Sequence, residues 1–325
     1  MQKSRYLVLF YFFLIAAPGI LSAKSYLRQK AYNLNALWQV NVLRHTNTGN
    51  VHLGREGWLF YFNKSDGTAL EDFWGVSSPS TLQESAQRIR QFVKAPYGFK
   101  AMYLFVIAPN KETLYPEFTN YLFADYRFSE NKYLERIPAA TKDLDAHVLS
   151  LYGPLLHAKG KHQLYNATDT HWNDWGAYVA HLAILKSVNN LLGTQTVPLP
   201  SREDVLTVPN PHDIFLMLNG LEKIIGFNEV PQPHRKVNLP GACCQTAIIS
   251  DGNYVVYENP SAQKVIWVVG DSFSDKLQFF LAPYYRKIVF MRFFEAQKYL
   301  PRAFKDSGPP DLIIDQRAER YLTRQ

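Results

Sequence analysis

Uninterrupted apolar runs along the chain predict its buried strands. Residues 101–108 (AMYLFVIA) and 265–269 (VIWVV) consist of apolar and aromatic side chains, as expected for strands covered on both faces of a sheet. Shorter runs at residues 58–62, 288–290 and 311–315 (DLIID) predict three more strands. The chain therefore contains at least five candidate strands, spread over most of its length.

Apolar residues at helical spacing separate several of these strands. Residues 80–94 have this spacing, with Ser80 placed to cap the helix, and so do residues 172–192, which Gly193 ends. Two more helices are predicted over residues 131–150 and from about residue 275 to 281. Alternation of buried strands and amphipathic helices predicts an α/β fold with a mostly parallel sheet and helices on both faces.

In such a fold, ligands collect at the carboxyl ends of the strands. Two polar segments are expected there, Pro109-Asn110-Lys111 after one buried strand and Gly270-Asp271-Ser272 after another.

The amino terminus has the pattern of an export signal. Lys3 and Arg5 precede an apolar run over residues 6–23 that ends in small residues, which fits either a cleaved signal peptide or a retained membrane anchor. Residues 24–49 read as a linker with amphipathic helical character, and residues 50–325 as the catalytic domain. The bulk of the chain is expected to work outside the cytoplasm.

Composition narrows the function classes further. The chain has 325 residues, a formal net charge of +7 with the charges scattered, and 47% hydrophobic residues. These values exclude wholesale disorder and are weak evidence for nucleic-acid binding. The two cysteines, Cys243 and Cys244, are adjacent. Adjacent cysteines can neither form a disulfide that cross-links distant segments nor supply good metal-ligand geometry. No Gly-rich phosphate loop or metal-ligand cluster occurs, so we expect no cofactor.

Three residues can supply nucleophilic catalysis. Ser272 lies where a strand turns into a helix, so its hydroxyl is expected at the edge of the sheet. The backbone N–H groups that follow it are expected there too, where they could stabilise an oxyanion. A serine nucleophile needs a histidine base, and the base needs a carboxylate to hold its tautomer. His171 and Asp169, two residues apart before a helix, can supply both. Each residue alone could instead be a cap or a surface group, whereas together they favour a triad.

Five segments in order resemble the SGNH-hydrolase-like domain of the alginate O-acetylation proteins. They are GREGWLF (54–60), APNKETLYPE (108–117), TDTHWNDWGA (168–177), GDSF (270–273) and PDLIIDQRAERY (310–321). The resemblance spans about residues 50 to 322 and favours the anchored, single-domain AlgJ-like type, because the chain ends just after the ERY segment.

This resemblance implies a periplasmic O-acetyltransferase, associated with the inner membrane of a Gram-negative bacterium and acting on an exopolysaccharide. It implies a triad of Ser272, His171 and Asp169 and a circularly permuted order of motifs, since the histidine segment precedes the serine. It also implies two partners, a polysaccharide acceptor and a multi-spanning membrane acyltransferase that supplies acetyl groups.

Other residues are weaker candidates for substrate contacts. Asn110, Lys111 and Tyr115 follow a core strand and either line the site, with Lys111 paired to an anionic sugar, or form a solvated loop. Trp172 either stacks on a sugar ring or packs in the core, and Arg320 either supports the site or, as we favour, bonds to a neighbouring carboxylate. The same triad would also serve an esterase, and a non-catalytic polysaccharide-binding scaffold is a third possibility.

Overall fold

The computed structural model describes residue 34 and residues 51–61, 79–93, 101–119, 133–196 and 247–322. The predicted signal or anchor over residues 1–23, almost all of the segment 24–49, and Cys243 and Cys244 lie outside these ranges. Within the described ranges, no helix is both long enough and apolar enough to cross a membrane.

A short antiparallel hairpin opens the described domain. Strand β1 (Val51–Leu53) pairs with β2 (Leu59–Tyr61) across the turn that contains Gly54 and Gly57. A Cβ on Gly54 would lie 2.3 Å from the carbonyl oxygen of Phe118, so no larger side chain fits this turn without a shift of backbone. The predicted strand at residues 58–62 is therefore present, but it belongs to this hairpin and not to the main sheet.

Seven strands form the main sheet, in the order β4-β3-β9-β7-β8-β6-β5. Their bounds are β3 Met102–Ala108, β4 His147–Ser150, β5 Ile249–Asp251, β6 Tyr254–Glu258, β7 Val265–Gly270, β8 Lys287–Arg292 and β9 Leu312–Ala318. The pairings from β4 to β8 are parallel, whereas β6 pairs antiparallel with both β8 and β5. The chain therefore has an α/β fold, and the predicted mostly parallel sheet is confirmed.

Helices cover both faces of this sheet. They are α1 Pro79–Val93, α2 Lys111–Leu114, α3 Tyr133–Ala140, α4 Tyr152–Lys159, α5 Asp174–Leu192, α6 Ser274–Leu281 and α7 Ala296–Ser307. Alternate residues of β7 enter two separate clusters: Ile266 and Val268 pack in the cluster that contains residues of α5 and α6, while Trp267 packs in the cluster that contains residues of α7. Burial on both sides explains why β7 is apolar throughout.

The helices predicted over residues 131–150 and from residue 80 have other bounds in the structure. The helix predicted over residues 131–150 ends at Ala140, and residues 147–150 form β4, because their backbone pairs with β3 in a register that joins His147 to Leu104. This pairing is a tertiary contact with no local signal. The helix predicted from residue 80 begins at Pro79, so Ser80 lies in its first turn and not at its cap.

The helix predicted over residues 172–192 has the expected end and a later start. Asn173 caps α5 by accepting a hydrogen bond from the N–H of Gly176, and Gly193 ends it in the left-handed conformation, with φ of 63°. Residues 171 and 172 are therefore free of the helix and form part of the loop before it.

Candidate active site

Ser272 lies at the carboxyl end of β7, in the tight turn that leads into α6. Asp271, the residue before it, accepts a hydrogen bond from the N–H of Phe273 at 2.9 Å through one carboxylate oxygen and from the N–H of Ala318 at 2.6 Å through the other. The carboxylate therefore ties the turn to the end of β9. Asp271 is 3% exposed, so it supports the turn and does not face a substrate.

Gly270 allows this turn to close tightly. A Cβ at this position would lie 2.7 Å from the Cβ and Oγ atoms of Ser274 and 3.1 Å from Oε1 of Gln316. The hydroxyl of Ser274 in turn donates to the carbonyl of Asp271. The turn that begins at GDS therefore leaves the hydroxyl of Ser272 available for chemistry, while the hydroxyl of Ser274 holds the turn together.

The loop before α5 carries the other two predicted residues. Its ends are joined by a bridge between Tyr165 and Trp172 and by a hydrogen bond from the N–H of Asn173 to the carbonyl of Leu164. Inside the loop, the Lys111 ammonium donates to the carbonyls of Asn166 at 3.2 Å, Ala167 at 3.0 Å and Asp169 at 2.8 Å. A single buried cation therefore organises the backbone from which Asp169 and His171 project.

The structure brings Asp169, His171 and Ser272 together. Oδ1 of Asp169 lies 2.7 Å from Nδ1 of His171, and Nε2 of His171 lies 2.7 Å from Oγ of Ser272. The same Oδ1 accepts the backbone N–H of His171 at 2.8 Å. With the ring proton on Nδ1 donated to Asp169, Nε2 accepts the hydroxyl proton of Ser272, the arrangement that general-base activation of a serine requires.

Exposure differs across these three residues in a way that suits this chemistry. The side chain of Asp169 is 8% exposed and that of His171 is 25% exposed. The carboxylate is thus shielded from water while the imidazole remains accessible to a reacting molecule.

The backbone N–H groups after Ser272 are not free, contrary to the prediction of an oxyanion site built from them. The N–H groups of Phe273 and Ser274 donate to Asp271, and that of Asp275 donates to the carbonyl of Ser272. Within the described residues, the N–H of Ser272 itself makes no hydrogen bond. The turn therefore offers one backbone donor, together with the positive end of α6.

Three residues predicted to contact substrate are buried. Tyr115 is 3% exposed, and its hydroxyl accepts the N–H of Leu164 at 2.8 Å, with burial raising its pKa to about 12. Trp172 is fully buried and meets Phe273 edge to face. Lys111, 2% exposed, holds backbone carbonyls and not a sugar. Each of these side chains packs or bonds inside the domain, which is the packing alternative stated for Trp172 and not the solvated loop stated for Lys111 and Tyr115.

Asn110 and Arg320 have different surroundings. Asn110 is buried at the end of β3, where its N–H donates to Oε2 of Glu319 at 2.8 Å. Arg320 is half-buried, and its guanidinium lies over the ring of Phe273, with Cζ 5.5 Å from the ring centroid. Of the weaker candidates, Arg320 and Lys111 line a recess beside Thr170, together with Tyr61 and Glu112.

Sequence reasoning did not single out Thr170 and Glu112. Thr170 places its Oγ1 3.2 Å from Nδ1 of His171. Glu112 follows Lys111 on α2, and burial raises its pKa to about 8. The sequence feature that could have identified Glu112 is its position, four residues after a predicted core strand and next to a lysine. Within the described ranges, no group of three or more His, Cys, Asp or Glu side chains could hold a metal ion.

Comparisons with known proteins agree with this architecture. A family model described as the SGNH hydrolase-like domain of the acetyltransferase AlgX matches residues 51–289. The O-acetyltransferase domain of Pseudomonas putida AlgJ is similar, with 20% identity, a TM-score of 0.54, and coverage of 85% of this chain and 93% of that one. Bacillus cereus PatB1 with a sulfonyl adduct has 14% identity, a TM-score of 0.55, and coverage of 86% and 98%. No curated protein sequence matches the chain.

Proposed function

Because the chain belongs to the family of SGNH hydrolase-like domains of the acetyltransferase AlgX, we propose that it is an O-acetyltransferase that uses Ser272 as its nucleophile. The observation that carries this proposal is the hydrogen-bonded series from Asp169 through His171 to Ser272, with 2.7 Å at each step. A serine, a histidine and a carboxylate in this geometry can carry out covalent acyl transfer.

The first half-reaction acetylates the enzyme. Oγ of Ser272 loses its proton to Nε2 of His171 and attacks the carbonyl carbon of the acetyl donor. The N–H of Ser272 and the positive end of α6 stabilise the negative oxygen of the tetrahedral intermediate. His171 then returns the proton to the leaving group, and Ser272 carries the acetyl ester.

The second half-reaction moves the acetyl group to a sugar hydroxyl. His171 removes the hydroxyl proton, the sugar oxygen attacks the acetyl carbon, and the proton passes to Oγ of Ser272 as the ester bond to the serine breaks. Asp169 stays ionised and stabilises the imidazolium form of His171 in both halves. The proposed acceptor is a hydroxyl of alginate or a similar exopolysaccharide.

The proposed setting is the periplasm, with the chain at the inner membrane. The export pattern of residues 1–23 supports this location. The proposed acetyl donor is supplied through a multi-spanning membrane acyltransferase, since the family resemblance implies such a partner. We infer no cofactor, because acyl transfer by this mechanism needs none.

Hydrolysis is the second candidate, and the exposure of His171 favours it as a side reaction. A side chain that is 25% exposed lets water reach the acetyl-enzyme, and water is then the acceptor. The balance between transfer and hydrolysis depends on how well a bound acceptor excludes water from Ser272.

The test uses the purified full chain with 4-nitrophenyl acetate, with and without an oligomannuronate acceptor. We expect an acetylated serine at position 272 by mass spectrometry and more acetylated oligosaccharide than free acetate. Ser272→Ala should abolish both, whereas Ser261→Ala, at an exposed serine, should match the wild type. Transfer that survives in Ser272→Ala overturns the proposal and favours a scaffold role, and acetate release that exceeds transfer favours an esterase.

A further inference from the structure

A recess opens beside Thr170, the residue that lies between Asp169 and His171. It is lined by Tyr61, Lys111, Glu112, Thr170 and Arg320. Thr170 connects it to the triad, because this residue lies between Asp169 and His171 and its Oγ1 is 3.2 Å from Nδ1 of His171. A molecule bound in the recess therefore contacts the neighbour of His171, the residue whose Nε2 would activate an acceptor hydroxyl.

The Arg320 guanidinium is held in this recess by aromatic rings. Its Cζ lies 5.5 Å from the ring centroid of Phe273, 6.0 Å from that of Tyr61 and 5.6 Å from that of Tyr321. Among the described residues, Arg320 makes no hydrogen bond or ion pair. A positioned and half-exposed guanidinium is suited to bind a carboxylate with two parallel hydrogen bonds.

Glu112 is the carboxyl group that shares the recess with Arg320. The charged groups near it are Lys111, Glu319 and Arg320, and the tyrosines Tyr61 and Tyr165 also lie in this region. Lys111 is committed to the loop carbonyls. Burial, with a smaller contribution from Glu319, raises the pKa of Glu112 to about 8, against the opposing effects of a backbone hydrogen bond and of the Arg320 and Lys111 charges. Near neutral pH the carboxyl is therefore mostly protonated.

We propose that Arg320 and Glu112 form a subsite that selects acyl acceptors with a carboxylate next to the reacting hydroxyl, and that Glu112 competes for Arg320 when it ionises. This inference rests on the proposed function, since it concerns the acceptor of the same triad. It assigns acceptor specificity to two side chains outside the triad.

The competition follows from the charge of Glu112. When the carboxyl is protonated, it can donate its O–H to the acceptor carboxylate while Arg320 donates its N–H groups. When the carboxyl is ionised, it attracts the guanidinium and repels the acceptor. Because the folded-state pKa lies above the usual value, the neutral form persists through pH 7 and is lost as the pH rises through about 8. Binding of acidic acceptors weakens over that interval.

The test compares two acceptors of the same length, an oligouronate and its carboxyl-reduced, neutral counterpart, with 4-nitrophenyl acetate as donor. The readout is the ratio of kcat/KM for the acidic acceptor to that for the neutral one, so effects on the shared triad cancel. We expect the wild-type ratio to exceed one at about pH 7 and to fall several-fold by about pH 9. Arg320→Gln should lower the ratio at about pH 7 by about tenfold, and Arg320→Lys by less.

Glu112→Gln keeps a neutral donor at every pH, so its ratio should not fall between about pH 7 and about pH 9. Glu84→Gln, on the exposed side of α1, should behave as the wild type. The inference is overturned by a wild-type ratio near one, by an unchanged ratio in Arg320→Gln, or by the same pH-dependent fall in Glu112→Gln. None of these outcomes touches the proposed function, which is tested separately by Ser272→Ala and by the balance between acetyl transfer and acetate release.

Discussion

Replacing Lys111 with methionine should loosen the loop that carries Asp169 and His171. Methionine keeps most of the length of the side chain and its apolar stem but removes the ammonium. Three carbonyls, of Asn166, Ala167 and Asp169, then lose a charged donor at 2.8–3.2 Å inside the domain. Because these oxygens have little access to water, the loss is larger than that of a surface hydrogen bond.

The expected cost follows from the number and kind of these bonds. Removing one partner of a buried charged interaction costs about 3–5 kcal/mol, since the remaining groups stay buried without a partner. For a domain of this size, such a loss corresponds to a fall in Tm of roughly 6–15 °C. Displacement of Asp169 and His171 by about 1 Å should also lower kcat by about 100-fold.

Thermal unfolding, urea titration and hydrolysis of 4-nitrophenyl acetate measure these effects in the full chain. Lys305→Met is the matched control, because Lys305 is exposed near the end of α7; its stability and kcat should stay close to those of the wild type. The reasoning is wrong if Lys111→Met loses less than about 1 kcal/mol, well below the range for a buried charged group, or if it is destabilised and fully active.

Three further substitutions test other parts of the site. Asp169→Asn should leave the Tm nearly unchanged and lower kcat for 4-nitrophenyl acetate by about 10³–10⁴-fold, because the amide no longer stabilises the imidazolium of His171; a tenfold loss would contradict the triad. Gly270→Ala should cost about 1–3 kcal/mol in urea unfolding, since the new Cβ would meet Ser274 at 2.7 Å; unchanged stability would show that the turn can open. Trp172→Phe should lower stability by about 1–2 kcal/mol and leave the KM for an oligosaccharide acceptor unchanged, because the ring is fully buried; a raised KM would restore the sugar-stacking hypothesis.

The core of the fold could be predicted because its signals are local. Strands β3 and β7 are buried on both faces, and this burial requires the apolar runs from which they were predicted. Helix α5 has a polar cap at Asn173 and a left-handed glycine at Gly193, and both residue types follow from the backbone geometry at helix ends.

The elements that were missed depend on contacts distant in sequence. Strand β4 has four residues of mixed polarity and is a strand because β3 lies beside it. Strands β5 and β6 extend the sheet from β8 in the antiparallel direction. No hydrophobic pattern distinguishes the edge strands β4 and β5 from loops, whereas β6 lies inside the sheet and has the β-branched and aromatic residues of a strand.

The α/β class, the mostly parallel sheet and the residue types suited to acyl transfer follow from the amino-acid sequence alone, because periodicity and turn chemistry are properties of short segments. Which polar side chains line the recess and which hold the loop in place depends on the three-dimensional structure. Lys111, expected either to pair with a sugar or to lie in a solvated loop, binds the carbonyls of the loop that carries Asp169, while Arg320, expected to bond to a carboxylate, lines the recess with Glu112. Burial, charge and pKa depend on atoms brought together from distant segments of the chain, and a one-dimensional pattern does not contain those distances.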